Sequence, residues 1–93
     1  MVEYVNEPVS VEVQLRPDET VRPVAFLWRG RRFQIESWGR KHRKREHTPT
    51  GDVYARQCYL VQTAGPVTWE LCQDIETAQW TLTRHWATKH QIV

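Results

Sequence analysis

Residues 53–74, VYARQCYLVQTAGPVTWELCQD, decide the fold, because two segments of alternating apolar and polar side chains flank one tight turn. Alternation with a period of two is typical of a half-buried β-strand. Glycine followed by proline marks the turn between the two segments. A three-residue loop centred on Gly65 therefore joins strands 53–63 and 67–74 into an antiparallel hairpin.

This register makes a definite prediction about the two cysteines. Tyr59 opposes Leu71 on the mostly apolar face, and Cys58 opposes Cys72 on the other face. Two cysteines are too few for a disulfide framework, and a reducing cytosol keeps such pairs as thiols. We expect two half-buried thiols, with a cross-strand disulfide as the alternative.

A second hairpin is predicted where the segments VAFLW and RFQIESW flank residues 29–31. A two-residue loop leaves two registers open. If the first two of these residues form the loop, Phe26 faces Phe33; if the last two form it, Trp28 faces Phe33. A three-residue loop would place the aromatic side chains on opposite faces, so we reject it.

Further strands are predicted at 9–15 and 79–86, where the same alternation recurs. The fold class is therefore all-β: a single small antiparallel meander of about six strands that forms a rolled sheet or a small barrel. The predicted core face carries Trp28, Phe33, Ile35, Tyr59, Val61, Trp69, Leu71, Trp80 and Leu82.

Length and composition bound the class of protein. The 93 residues form one β-domain, 1–93, whose core depends on ten aromatic side chains. No apolar run is long enough to span a bilayer, and the acidic start MVEYVNEP lacks the apolar core of a signal peptide. These features predict a cytoplasmic protein with no membrane partner.

Charge is concentrated in one part of the chain. Residues 29–47 hold eight Lys and Arg against two acids, a net charge of +6, while the rest of the chain carries −4. Residues 39–52 contain almost no apolar side chain, so we expect a basic flexible loop there. Such a concentration of charge favours an anionic partner, although a solvated run that only improves solubility gives the same pattern.

The predicted partner is nucleic acid, single strands included, or another polyanion. Trp38 has the opposite parity to Phe33, which places it on the outer face, where base stacking is one interpretation; a core position that caps a barrel end is the other, and we favour it slightly. Six neutralised phosphates would give a salt slope of roughly −4. The predicted nucleic-acid-binding residues are Arg29, Arg31, Arg32, Trp38, Arg40, Lys41, Arg43, Lys44 and Arg45.

Catalysis is not expected from this sequence. It contains no GxSxG, Walker-type or HExxH motif, and its two serines lie in no nucleophile motif. The histidine and cysteine spacings match no tetrahedral zinc site. We therefore predict no enzyme activity, no catalytic residue, no metal and no cofactor.

Three segments carry a resemblance to a known family: PVAFLWRGRRFQI (23–35), TAGPVTWEL (63–71) and QWTLTRHW (79–86). Together they resemble a family of small uncharacterised bacterial domains, in which a Phe-x-Trp-Arg-Gly-Arg segment precedes a hairpin that ends in a Trp-x-Leu strand. Similar domains occur at the C-terminus of Y-family-like DNA repair polymerases. The resemblance implies a place near DNA metabolism, and it carries over no activity, cofactor or catalytic residue.

The expected function is that of a non-enzymatic anion- or nucleic-acid-binding accessory domain linked to DNA metabolism or repair. The alternative is a protein-interaction or homo-oligomerisation module. In that case an exposed sheet edge, at 9–15 or 79–86, would add a strand from a protein partner.

Overall fold

The computed structural model describes residues 1–47, 49, 51 and 53–88. Strands follow one another as a meander, and the last strand pairs with the first, so the sheet closes into a barrel. The all-β prediction is confirmed, and the barrel rather than the open sheet is the form adopted. The strands are β1 (Val2–Leu15), β2 (Val21–Trp28), β3 (Arg31–His47), β4 (Val53–Thr63), β5 (Val67–Asp74) and β6 (Trp80–Ala87).

Both central hairpins adopt predicted registers. In the β4–β5 hairpin Tyr59 pairs with Leu71, as the three-residue loop requires. In the β2–β3 hairpin Phe26 pairs with Phe33, which selects the first of the two registers left open. Arg29 and Gly30 have φ of 51° and 75°, the positive values that a type I′ turn needs at both central positions.

The core occupies the barrel interior and consists largely of aromatic side chains. Trp69 is its centre, since its ring lies 5.1 Å from Phe26, 4.9 Å from Phe33 and 5.6 Å from Trp28. Its indole N–H donates a 2.8 Å hydrogen bond to the Thr63 hydroxyl, so burial leaves no unsatisfied donor there. Every residue of the predicted core face is buried in this cluster or packed against it.

The prediction of a loop at 39–52 is wrong for residues 39–47, because β3 continues to His47 and pairs with β4. Apolar burial is indeed scarce there, but the backbone ladder and ion pairs of alternate side chains hold the strand. Residues 48, 50 and 52 lie outside the described residues. The basic segment is therefore mostly an extension of a hairpin.

Two bulges in β3 determine which side chains face the core. One lies between Ile35 and Ser37, and the second between Trp38 and Lys41. Each adds one residue to β3 relative to β4, which reverses the parity of every following side chain. After the second bulge Lys41 pairs with Tyr59, which packs against the core.

Cys58 and Cys72 are paired across the β4–β5 ladder as predicted, but they form a disulfide rather than two thiols. Both residues are fully buried. The opposition itself was predicted; the expectation of separate thiols is wrong because it rested on an assumed reducing compartment, whereas the register places the two sulfur atoms within bonding distance. The bond lies on the sheet face opposite to the core.

Barrel closure changes one of the proposed interaction edges. β6 pairs with β5 on one side and with β1 on the other, so residues 79–86 are not an exposed edge. The C-terminal half of β1, Ser10–Leu15, pairs only with β2 among the described residues. That half is the edge that is left for strand addition.

Candidate nucleic-acid interface

The basic segment of β3 is divided between two faces of the sheet. Opposed residues of an antiparallel pair share a face. Lys41 pairs with Tyr59, and Arg43 and Arg45 follow at intervals of two, so all three lie on the face that carries the core. Each is exposed and forms no ion pair with any described residue. We call Lys41, Arg43 and Arg45 the inner row.

The intervening residues lie on the outer face and contact a buried carboxylate. Glu70 of β5 is only 1% exposed. The Lys44 Nζ lies 3.2 Å from Glu70 Oε1, and the Arg84 Nη2 lies 3.2 Å from Oε2. Thr83 donates a 2.6 Å hydrogen bond from its hydroxyl, and His42 Nε2 is 3.4 Å from Oε2. These five residues are the Glu70 cluster.

Electrostatics keep the Glu70 carboxylate ionised despite its burial. Burial alone would raise the pKa of Glu70, but hydrogen bonds from Thr83, Arg84 and Lys44 more than offset this effect. The pKa is lowered from 4.5 to about 2. Lys44, one of the predicted binding residues, is therefore ion-paired within the protein, to a carboxylate that it shares with Arg84.

The hairpin arginines are also largely paired. Arg29 Nη2 lies 2.7 Å from Glu7 Oε2, and Arg32 contacts both oxygens of Glu12, at 2.6 and 3.2 Å. The hydrogen bond from Arg29 lowers the pKa of Glu7, and the one from Arg32 lowers the pKa of Glu12. Only Arg31 of this cluster forms no ion pair with a described residue, and its guanidinium lies over the Phe33 ring.

The predicted outer-face position of Trp38 is wrong. The bulge after Ile35 reverses parity, so Trp38 pairs with Val61 and packs against the core. Its indole N–H donates a 2.7 Å hydrogen bond to the Pro23 carbonyl, and the Arg22 guanidinium lies 4.0 Å above the ring. The alternative, a core residue at a barrel end, is the one observed.

Sequence reasoning missed a cleft next to the inner row. It lies between β2 and β3 and has a volume of about 230 Å³. Arg16, Arg22 and Tyr59 line it together with Lys41 and Trp38. The signal available in the sequence was Pro23, which cannot donate to a ladder and so indicates that β2 separates from a neighbour there.

The described part of the chain offers no group of three or more His, Cys, Asp or Glu side chains that could hold a metal ion. It also contains no helix long and apolar enough to cross a membrane. Arg40, on the second bulge, is exposed like the inner row. The predicted cations therefore separate into an exposed group in β3, cations paired with Glu7, Glu12 or Glu70, and Arg31, which lies over Phe33 away from the cleft.

A closed six-stranded antiparallel barrel with a row of exposed cations beyond its core defines a small β-barrel domain with a basic face. The chain belongs to the family described as domain of unknown function (DUF6504), whose model matches residues 1–87. The resemblance to an uncharacterised domain family is thereby confirmed. Comparison with curated proteins and with solved structures found no match.

Proposed function

We propose that this protein is a non-enzymatic accessory domain that binds nucleic acid through the inner row. The observation that carries the proposal is the separation of the basic segment into a paired and an unpaired face. Side chains two residues apart on a strand repeat at about 6.6 Å. Lys41, Arg43 and Arg45 therefore present charges at regular intervals, as a phosphate backbone requires.

Two further features support this proposal and its biological setting. The Tyr59 ring of the neighbouring cleft favours single strands, whose bases are free to stack. We extend the proposal to a role in DNA metabolism or repair, which is what the sequence resemblance to C-terminal domains of Y-family-like repair polymerases implies. The preference for single strands and the role in DNA metabolism or repair are both parts of the proposal.

The test compares two double substitutions with the same change in net charge. Arg43→Gln with Arg45→Gln removes exposed cations, whereas Arg29→Gln with Arg32→Gln removes cations paired with carboxylates. We expect the first variant to bind a fluorescent single-stranded oligonucleotide about tenfold more weakly at low salt. The second should bind within about threefold of the unaltered protein, because exposed ion pairs contribute little.

Equal losses in the two variants would indicate attraction by net charge alone and would overturn the proposed interface. Failure of the unaltered protein to bind the oligonucleotide at low salt would overturn the function itself. Fluorescence anisotropy at two salt concentrations measures both quantities.

A second candidate function is strand addition by a protein partner or a second copy at Ser10–Leu15 of β1. The supporting observation is that Val13, Leu15 and Val21 are 48%, 71% and 44% exposed beside that edge. An unpaired edge with exposed apolar side chains is a recognition surface for extended peptides. A dimer in light scattering that Val13→Lys disrupts, together with absent oligonucleotide binding, would favour this function.

A further inference from the structure

The cleft exists because β2 and β3 separate at one end of the barrel. They pair only between Ala25–Trp28 and Arg31–Gln34, after which β3 pairs with β4 instead. Two β2 carbonyls at the separation accept hydrogen bonds from side chains of β3. The Trp38 indole donates to the Pro23 carbonyl at 2.7 Å, and the Gln34 amide donates to the Val24 carbonyl at 3.1 Å. Side chains thus bridge the gap in place of a ladder, and one of them, Trp38, also lines the cleft.

Positive charge and aromatic rings meet in this cleft. Arg16, Arg22 and Lys41 contribute three cations, and Trp38 and Tyr59 contribute two rings. Asp18 stands in the adjoining turn, where it accepts hydrogen bonds from the backbone and hydroxyl of Thr20. Charge in the cleft is therefore positive even when this carboxylate is counted.

Arg22 has hydrogen-bonding capacity that the described residues do not use. Its guanidinium lies flat over the Trp38 ring, at 4.0 Å, and its buried Nε has no hydrogen-bond partner in the described part of the chain. Nε is itself buried, so the guanidinium can meet an anionic oxygen only through its terminal nitrogens; the Arg22 side chain is half-buried and lines the cleft. Stacking on the indole fixes the direction in which the guanidinium presents its donors.

The cleft is large enough for one aromatic ring. A cavity of about 150 Å³ accommodates benzene. The observed volume of about 230 Å³ therefore has room for one pyrimidine-sized ring with adjoining atoms. The half-buried Tyr59 ring, held at 5.5 Å from Trp80, offers a fixed surface for such a ring.

We propose that this cleft is a subsite for one pyrimidine nucleotide, with the base against Tyr59 and the phosphate on Arg16, Arg22 and Lys41. The inference rests on the proposed function and deepens it. Lys41 belongs to both the cleft and the inner row, so a single strand that follows the row reaches the cleft without a gap.

The test follows tryptophan indole signals by ¹H–¹⁵N NMR during titration with thymidine 5′-monophosphate. We expect a saturable shift of the Trp38 signal, while the Trp28 indole, bound to Glu7 at the far hairpin, serves as the internal reference. Thymidine and inorganic phosphate alone should each bind at least about tenfold more weakly, because each offers only half of the contacts.

Two single substitutions of exposed arginines provide matched controls. Arg16→Gln should weaken thymidine monophosphate binding by about tenfold, since it removes a charge-assisted hydrogen bond. Arg31→Gln makes the same change in net charge outside the cleft and should leave binding within about twofold. Equal effects of the two substitutions would overturn the subsite.

The outcomes separate this inference from the proposed function. If the oligonucleotide binds but thymidine monophosphate leaves Trp38 unshifted, the subsite is wrong and the function stands. If inorganic phosphate binds as well as the nucleotide, the cleft is a simple anion site and the inference is again overturned. If the nucleotide binds but the oligonucleotide does not, the cleft is supported and the polymer-binding function is overturned.

Discussion

The two faces of β3 between Lys41 and Arg45 both carry basic residues, but they differ in whether those residues contact a carboxylate. On the outer face His42 and Lys44 lie within 3.4 Å of the buried Glu70 carboxylate. On the inner face the alternate residues are exposed and unpaired among the described residues. The difference arises because β5 and β6 supply a carboxylate and its partners to one face only. A count of cations therefore overstates the charge that is available to a ligand.

The largest expected effect concerns the outer face. Glu70→Gln removes the carboxylate that Lys44 and Arg84 contact. Breaking one side of a buried ion pair leaves charges without a partner, so we expect the free energy of unfolding to fall by about 3 kcal/mol in urea denaturation. Glu36→Gln, the same change at an exposed site, should stay within about 0.5 kcal/mol. Similar values for the two variants would contradict the structural role of the Glu70 cluster.

The same cluster predicts a pH dependence. The folded-state pKa of Glu70 is about 2, below its ordinary value of 4.5. A lowered pKa stabilises the fold above pH 4.5, and the contribution is lost as pH falls from 4.5 towards 2. We expect this group to account for about 3 kcal/mol of the acid loss. The Glu70→Gln variant should therefore lose less stability over this range than the unaltered protein, and parallel curves would contradict the assignment.

A somewhat smaller effect is expected from the disulfide, which also lies on the outer face. Reduction of Cys58–Cys72, which are 14 residues apart, should lower the free energy of unfolding by roughly 2 to 3 kcal/mol. Oligonucleotide affinity should change by less than about twofold, because the inner row lies on the other face. Denaturation with and without dithiothreitol measures the first quantity. An unchanged midpoint would contradict a bonded pair.

Much of the fold could be predicted because strand periodicity is a local property. Alternation fixed the β4–β5 register, including the opposition of Tyr59 and Leu71. Turn chemistry limited the β2–β3 hairpin to two registers, of which one is observed. The core face followed from the same parity, since no bulge interrupts β4 between Tyr59 and Val61.

The site could be predicted less well because its geometry depends on distant strands. The bulges around Trp38 arise where β3 moves from β2 to β4, and the local sequence marks only the second of them, through Gly39. The ion pair between Lys44 and Glu70 joins β3 to β5 across β4, so it depends on the assembled sheet and not on neighbouring residues in the sequence. The absence of apolar side chains at 39–52 suggested a loop, although ion pairs and a backbone ladder hold its first part as a strand.

The salt dependence of oligonucleotide binding tests the division of β3 most directly. When the three cations of the inner row bind single-stranded nucleic acid, the salt slope should be about −2, rather than the −4 that six cations would give. The Arg43→Gln, Arg45→Gln variant should reduce the magnitude of the slope by about 1.4. Lys44→Gln, one residue away on the outer face, should leave the slope within about 0.3 of the unaltered value. If Lys44→Gln reduced the slope by as much as each inner-row substitution does, about 0.7, the result would contradict the account.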